Sequence, residues 1–238
     1  MFLKFLKFLK KTKYLIEGRI FKTPEIQISK TWIGNSYGGF FVNNKGLTDQ
    51  SLIYSIGIGT DVSFDLELIN TYGCRVYGFD PTPKSIQWIK ENIIEPNFIM
   101  SEFGISNFSG IKKFYLPKNQ NFVSGSILPL KTVNEKESIM LEFKNLSEAM
   151  QDNNHTHLDL LKMDIEGAEY DVLEDALNRS IRIDQIVVEF HPHLISQGRK
   201  KTKDIMNLLN KKGYLCFGIS DSFLEFSYIN TKVLSKFQ

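Results

Sequence analysis

Apolar and polar positions follow two rhythms along this 238-residue chain. Short apolar runs suit buried strands, and between them apolar residues return every three or four positions, as on one face of a helix. The stretch from Ser51 to Asp80, SLIYSIGIGTDVSFDLELINTYGCRVYGFD, shows both. Leu52–Ile56 predicts a buried strand. Val62, Leu66, Ile69 and Tyr72 then predict a helix face that Gly73 stops, and Arg75–Phe79 predicts a second strand ending on Asp80. Further on, Pro83 opens a helix with Ile86, Ile89 and Ile93 inward, and Asn97–Met100 predicts a third strand. Ser109–Gly110 turns the chain into another strand, Ile111–Leu116. Leu158–Met163 and Gln185–Phe190 are further strands, separated by a helix whose inner face is Val172, Leu173, Ala176 and Leu177. A helix over Lys200–Lys212, stopped by Gly213, leads to a closing pair, Tyr214–Ile219 and Glu225–Thr231.

These elements predict an α/β fold with helices on both faces of a seven-stranded, mostly parallel sheet. Right-handed crossovers make its first five strands parallel. The link at Ser220–Phe223 is too short for a crossover, so the last strand is expected to be antiparallel. Two segments stay open. Residues 31–43 hold two short strands around a turn at Asn35–Gly39, either a structural hairpin or a ligand contact. Pro117–Lys131, rich in Asn, Ser and Gly (Asn119, Asn121, Ser124, Gly125, Ser126), is either a lid or a solvated loop.

Charge divides the chain. The net charge of +2 conceals five lysines and no acid in residues 1–13, whereas the remainder carries 24 basic and 27 acidic side chains. An acidic body disfavours a general nucleic-acid binder. In MFLKFLKFLKKTK a helix would place Phe2, Leu3, Phe5, Leu6, Phe8 and Leu9 on one broad face and most lysines on the other. Residues 1–30 are therefore read as a basic amphipathic segment, lying on an anionic membrane surface or packed on its own domain or a second subunit. No apolar run is long enough to span a bilayer, and the lysines interrupt any secretory signal. Cys74 and Cys216 lack ligand spacing and read as reduced core residues of a cytoplasmic protein, with peripheral contact at the inner membrane face through residues 1–13.

The strand–turn–helix–strand–acid order of Ser51–Asp80 is the first half of a nucleotide-binding unit. Gly57 and Gly59 let the backbone approach a ligand, and Asp80 sits where an acid holds ribose hydroxyls. Val62 occupies the place of a third glycine, which disfavours a dinucleotide pyrophosphate and favours S-adenosylmethionine (SAM). Glu102 and Phe103, just past the third strand, are candidates for an adenine pocket. Asp164 and Glu166 end the Leu158–Met163 strand and alternate, as do Glu189, His191 and His193 after the Gln185–Phe190 strand. Acids at the carboxyl ends of central strands stand where open α/β sheets place their chemistry. Glu169 is left open, while Asp171, Glu174 and Asp175 read as a solvated helix face, and His155 and His157 as surface residues.

LDLLKMDIEGAEYDVL resembles the signature of the FkbM-type SAM-dependent methyltransferases. YSIGIGTDVSFDL, VYGFDPTPKSI and VVEFHPH resemble that family's cofactor-loop, second-strand and fifth-strand motifs, FYLPKNQNFVSGSI a family loop, and WIGNSYGGFFV the segment ahead of the cofactor motif. The likeness runs from Thr31 to Asn230, within a domain taken as residues 31–238. It implies the class I methyltransferase fold, SAM as cofactor, and methylation of oxygen on sugars or other small metabolites made by bacteria. Within the matching motifs Ser55, Gly57, Gly59, Asp61, Asp80 and Pro81 would face the cofactor, joined by Glu102 and Phe103 from their place after the third strand, and Asp164, Glu166, Glu189 and His191 would face the acceptor. Ser55 departs from the acid that commonly leads the cofactor motif, so Asp61 or backbone would serve the methionine end.

His191 is the first candidate for the base that takes the acceptor proton, since an unperturbed imidazole titrates near neutrality. Asp164 is the second, with Glu166 and Glu189 orienting. No metal ligands are assigned; if a divalent ion acidifies the hydroxyl, Asp164, Glu189 and His191 would hold it. A small-molecule or glycan O-methyltransferase is the leading expectation, ahead of a protein or RNA methyltransferase and a SAM-binding module without catalysis.

Overall fold

In Leu52–Ile56 the residues Ile53, Tyr54 and Ile56 are β-branched or aromatic and almost every side chain is buried, and this strand is the axis of the molecule. The computed structural model describes residues 22–119 and 123–236. Two short strands, β1 (Thr31–Ile33) and β2 (Phe40–Val42), pair antiparallel ahead of β3 (Leu52–Ile56). Helix α1 (Ser63–Tyr72) follows and ends on Gly73, then β4 (Arg75–Phe79), α2 (Pro83–Asn92), β5 (Phe98–Ser101), β6 (Gly104–Ser106) and β7 (Gly110–Pro117). The second half comprises β8 (Val133–Asn145), α3 (Leu146–Asp152), β9 (Leu158–Met163), α4 (Glu169–Asn178), β10 (Ile183–Glu189), α5 (Gly198–Lys211), β11 (Tyr214–Ile219) and β12 (Glu225–Asn230).

Seven of these strands form one sheet in the order β11-β12-β10-β9-β3-β4-β5. β3, β4, β5, β9 and β10 are mutually parallel, and β12 runs antiparallel to both β10 and β11. This is the expected topology, with the short Ser220–Phe223 link forcing the reversal. Parallel strands buried on both faces feed two cores. Tyr54, Phe79, Leu161, Met163 and Val188 face α3, α4 and α5, where Met150, Leu173 and Leu209 are buried. Ile53, Val76, Leu160 and Val187 face the β1–β2 hairpin, α1 and α2, against Phe40, Phe64, Leu68 and Ile89.

A second sheet, β6-β8-β7, lies apart from the first. The Ile111–Leu116 strand joins this sheet, so it adds nothing to the central one. β8 and α3 have no announcing apolar rhythm. In NEKESIMLEFK one face of β8 is solvated and only Val133 and Phe143 are fully buried along the strand. In α2 the buried inner positions are Ser85 and Ile89, and Ile86 and Ile93 are half-buried.

Cys74 and Cys216 are buried and free. His155 corrects the surface reading: it is half-buried, its Nδ1 stands 2.9 Å from the Tyr54 hydroxyl, and its ring meets Tyr77 edge-on at 4.8 Å. The end of the proposed N-terminal segment runs along β11, where Glu25 N–H donates to Cys216 O at 2.7 Å and Ile26 and Ile28 pack near Phe217 and Val233. The basic amphipathic stretch 1–13 lies outside the described residues, as does Asn121. Among the described residues no helix is long and apolar enough to cross a membrane.

Candidate active site

A cavity of about 670 Å³ opens at the carboxyl ends of β3, β4, β9 and β10. That is within the roughly 300–1,000 Å³ usual for small-molecule sites. One end is made by glycines. The N–H of Gly57 donates to Phe79 O, and the N–H of Asp164 to Ile56 O, both at 3.0 Å, so the ends of three strands are tied together. Gly57 has φ +79°, and a Cβ there would meet Asp164 O at 1.7 Å. The neighbouring backbone thus closes on Gly57 itself, leaving the loop after it to face the cavity. Asp80, almost fully buried, accepts the Gly59 N–H and the Thr82 N–H, each at 2.8 Å. Both fix its carboxylate where the cavity wall includes Gly59, Asp80 and Pro81.

Asp61 is held from two sides. Its Oδ1 accepts the Ser63 N–H at 3.0 Å, and its Oδ2 accepts from the Asn35 amide at 2.8 Å. Burial pulls this carboxyl's pKa up, but the hydrogen bonds from Ser63 and Asn35 together outweigh burial and leave it below its ordinary value. Asn35 Oδ1 also accepts the N–H groups of Tyr37 and Gly38, at 2.7 and 2.8 Å, which turns the hairpin so that Ser36, Tyr37 and Gly38 line the cavity. The hairpin is therefore part of the cavity wall. The opposite wall comes from the second sheet and the loop before β8: Phe114, Val123–Ile127, Thr132 and Phe143.

Three sequence candidates lie elsewhere. Ser55 is fully buried behind the wall because β3 points its side chain to the other side of the strand from Ile56. Glu102 is exposed and paired with Lys90 at 2.6 Å. Phe103 packs on Phe79 with Lys144 over its ring, so the chain entering β6 turns both residues away from the cavity.

Two residues with no clear signal take Ser55's place. Asp65, from the first turn of α1, is 1% exposed beside the Ser55 hydroxyl, and lines the cavity. Its Oδ1 has no hydrogen-bond partner among the described residues. Burial pushes its pKa up to about 6 in spite of nearby Lys162. Lys162, nearly buried in mid-sheet, donates from Nζ to Gly57 O.

The other end is acidic. Asp164, Glu166, Glu189 and His191 all line it, together with Glu225 of β12. The carboxylates of Asp164, Glu166 and Glu189 come within 3.7, 3.8 and 3.6 Å of His191 Nε2. On the far side of the ring, Nδ1 lies 2.8 Å from Oε1 of Glu169, which is fully buried. Glu169 also accepts the N–H groups of Ile165 and Gly167, so it organises the turn after β9, where Glu166 adopts φ +52°. Its helical position in DIEGAEYDVL gave no sign of this, since surface acids have the same spacing.

Burial lowers the His191 pKa, but Glu169, Asp164 and Glu189 together hold it well above the usual imidazole value. That upward shift weakens the reason for placing His191 first as base, and only 7% of the ring is exposed behind the carboxylates. Burial and neighbouring Asp164 push Glu189 up to about 8. Burial also raises Asp164 and Glu166.

The model of the FkbM methyltransferase domain matches residues 54–216, well over half the chain. The chain belongs to the FkbM methyltransferase family. The match contains both ends of the cavity from Ile56 to His193, and excludes the β1–β2 hairpin and β12. Curated relatives include a probable methyltransferase-like protein 24 from Rattus norvegicus, 24% identical over 167 residues, and its Homo sapiens counterpart, 25% over 147. These cover 69% and 60% of this chain but 39% and 33% of the relatives, so the chain spans well under half their length. Among solved structures, methyltransferase FkbM from Methylobacillus flagellatus superposes with a TM-score of 0.50 at 12% identity, covering 77% of this chain and 44% of that one. The FkbM chain thus has the class I methyltransferase architecture, seven strands with the antiparallel one inside the β10 edge.

Proposed function

We propose that this FkbM domain transfers the methyl group of SAM to a hydroxyl oxygen of a sugar or other small polyhydroxylated metabolite. The observation that carries the reading is one cavity whose glycine end and acid end meet at Gly57 and Asp164.

The residues present fit the cofactor. The Asp80 carboxylate faces the cavity with its backbone bonds already fixing its direction, as ribose hydroxyls require. The orphaned Oδ1 of Asp65 is a buried acceptor awaiting a donor, and an amino acid ammonium supplies one. Lys162 lines the same cavity and its charge acts on Asp65, so it supplies the cation for the matching carboxylate. SAM supplies an electrophilic methyl on sulfonium; the chain aligns, dries and neutralises.

At the acid end, carboxylates at several angles accept hydrogen bonds from neighbouring hydroxyls. They repel phosphate, which argues against nucleic acid and nucleotide acceptors. Asp164 is better placed than His191 to take the acceptor proton: its side chain is one-third exposed to the cavity, whereas the imidazole is walled in. His191 then keeps the cluster's charge partly balanced, held by Glu169.

Methyl-labelled SAM incubated with neutral sugars, sugar phosphates, and separated metabolite, protein and RNA fractions of a cell extract tests the reading. Label on a neutral hydroxyl compound at an ether position supports it. Label on protein or RNA alone, or SAM binding with no transfer to any fraction, overturns it.

A further inference from the structure

Positive charge is scarce at the acid end. Among the described residues Asp164, Glu166, Glu169 and Glu189 gather around His191, and Glu225 lines the same end of the cavity. The imidazole is more than nine-tenths buried, and its Nε2 is aimed at three carboxylate oxygens, each beyond hydrogen-bond range at 3.6–3.8 Å. An Nε2–H in such surroundings ordinarily closes to 2.7–2.9 Å on one carboxylate, as Nδ1 does on Glu169. Here Nε2 keeps all three at nearly equal distance.

We infer that His191 Nε2, Asp164 and Glu189, with Glu166 completing the set, bind a divalent cation at the acid end of the cavity. Metal bonds of about 2.0–2.2 Å place adjacent ligand atoms about 3.0–3.6 Å apart, close to the spacing between Nε2 and each of these three oxygens. Ligand atoms of Asp164, Glu169 and His191 all lie within 4.8 Å of one another. Glu169 is the outer partner in that group. Its oxygens already accept Nδ1–H and two backbone N–H groups. A carboxylate on Nδ1 fixes the ring and its tautomer and presents Nε2 to a metal, the usual support of a metal-binding histidine.

One imidazole with three carboxylates suits Mn²⁺, Fe²⁺ or Zn²⁺ better than a thiolate-seeking ion. The ion would stand beside Asp164, against the glycine end, where the acceptor oxygen must also lie. Its role as a positioner of that oxygen rests on the methyltransferase reading; its binding does not.

The test is a Mn²⁺ titration of the full chain, followed by loss of the free-ion electron paramagnetic resonance signal, with SAM affinity measured by calorimetry on the same preparation. One Mn²⁺ per chain is expected. Glu189→Gln and Asp164→Asn should each weaken it at least about tenfold, and Glu169→Gln about 10–100-fold. Glu142→Gln, on the solvated face of β8, should leave it unchanged, and circular dichroism checks that each variant is folded. Absence of saturable Mn²⁺ binding in the wild-type chain, or binding that survives both Glu189→Gln and Asp164→Asn, overturns the site. SAM binding without Mn²⁺ binding would overturn the metal alone, and Mn²⁺ binding without SAM binding would support the metal while removing the methyl-transfer reading.

Discussion

The two ends of the cavity are built by different means. The glycine end is mostly backbone: the loop after β3 is closed by N–H groups of Gly57 and Gly59, and Asp80 accepts from both sides. Nearly all of it comes from Ser51–Asp80. The acid end is made of side chains, brought together from β9 and its following turn, from α4, from the end of β10 and from β12. A backbone cradle is set by local conformation and is indifferent to charge. A side-chain cluster needs distant strands in register, and its chemistry is collective, because each carboxylate shifts the next. Substitutions at the glycine end should therefore act on folding or cofactor affinity. Those at the acid end should act on turnover.

The largest expected effect is on turnover at the acid end. Asp164→Asn should lower kcat for methyl transfer about 10²–10⁴-fold, the usual worth of a placed base, with SAM affinity by calorimetry nearly unchanged. A parallel loss of SAM affinity would merge the two ends into one site.

Next is Gly57→Ala. The added Cβ would overlap Asp164 O at a φ of +79°, so the strand ends must separate. Denaturant unfolding should show a loss of about 3 kcal/mol or more, or no folded protein. A variant of wild-type stability would mean that the loop is not closed as described.

Asp65 separates stability from binding. Its folded pKa of about 6 lies above the ordinary 3.8, so folding takes up a proton between those values. Its contribution to stability is full below about pH 4 and falls as pH rises to about 6, by on the order of 3 kcal/mol. Asp65→Asn should remove that loss, unfolding at higher denaturant than wild type at pH 7 but not at pH 4, while weakening SAM binding. Equal stability at both pH values would mean that the carboxylate is hydrated.

Asp80→Asn should weaken SAM about tenfold, about 1.4 kcal/mol, with little change in kcat at saturating SAM. The smallest effect is expected at the mouth. Tyr37 is 84% exposed and lines the cavity, so Tyr37→Ala should raise the acceptor KM a few-fold and leave kcat alone. A change in kcat would place the ring against the reacting oxygen.

Most of the sheet was legible, because strands buried on both faces are apolar throughout: β3, β4 and β9 have the ends their apolar runs predict. β8 was not, since its side chains are mostly solvated and its partner β7 supplies the pairing through backbone. At the site, Gly57, Gly59 and Asp80 could be read from spacing. Ser55, Glu102 and Phe103 were placed by the same spacing logic, yet strand alternation and the turn into β6 direct them elsewhere.

By itself the sequence determined the order of the seven central strands and the helices at their crossovers other than α3, the reversal at β12, the glycine loop and the acids after β9 and β10, all features fixed by a residue's near neighbours. Only the tertiary structure decided that Asp65 and Lys162 meet beside Ser55, that Glu169 is a buried partner of His191 rather than a solvated acid, and that Glu225 joins them from β12. The reason is physical. A charged residue carries the same letter on a wet helix face as in a buried network, and its proton affinity is set by the charges that folding brings within a few ångströms.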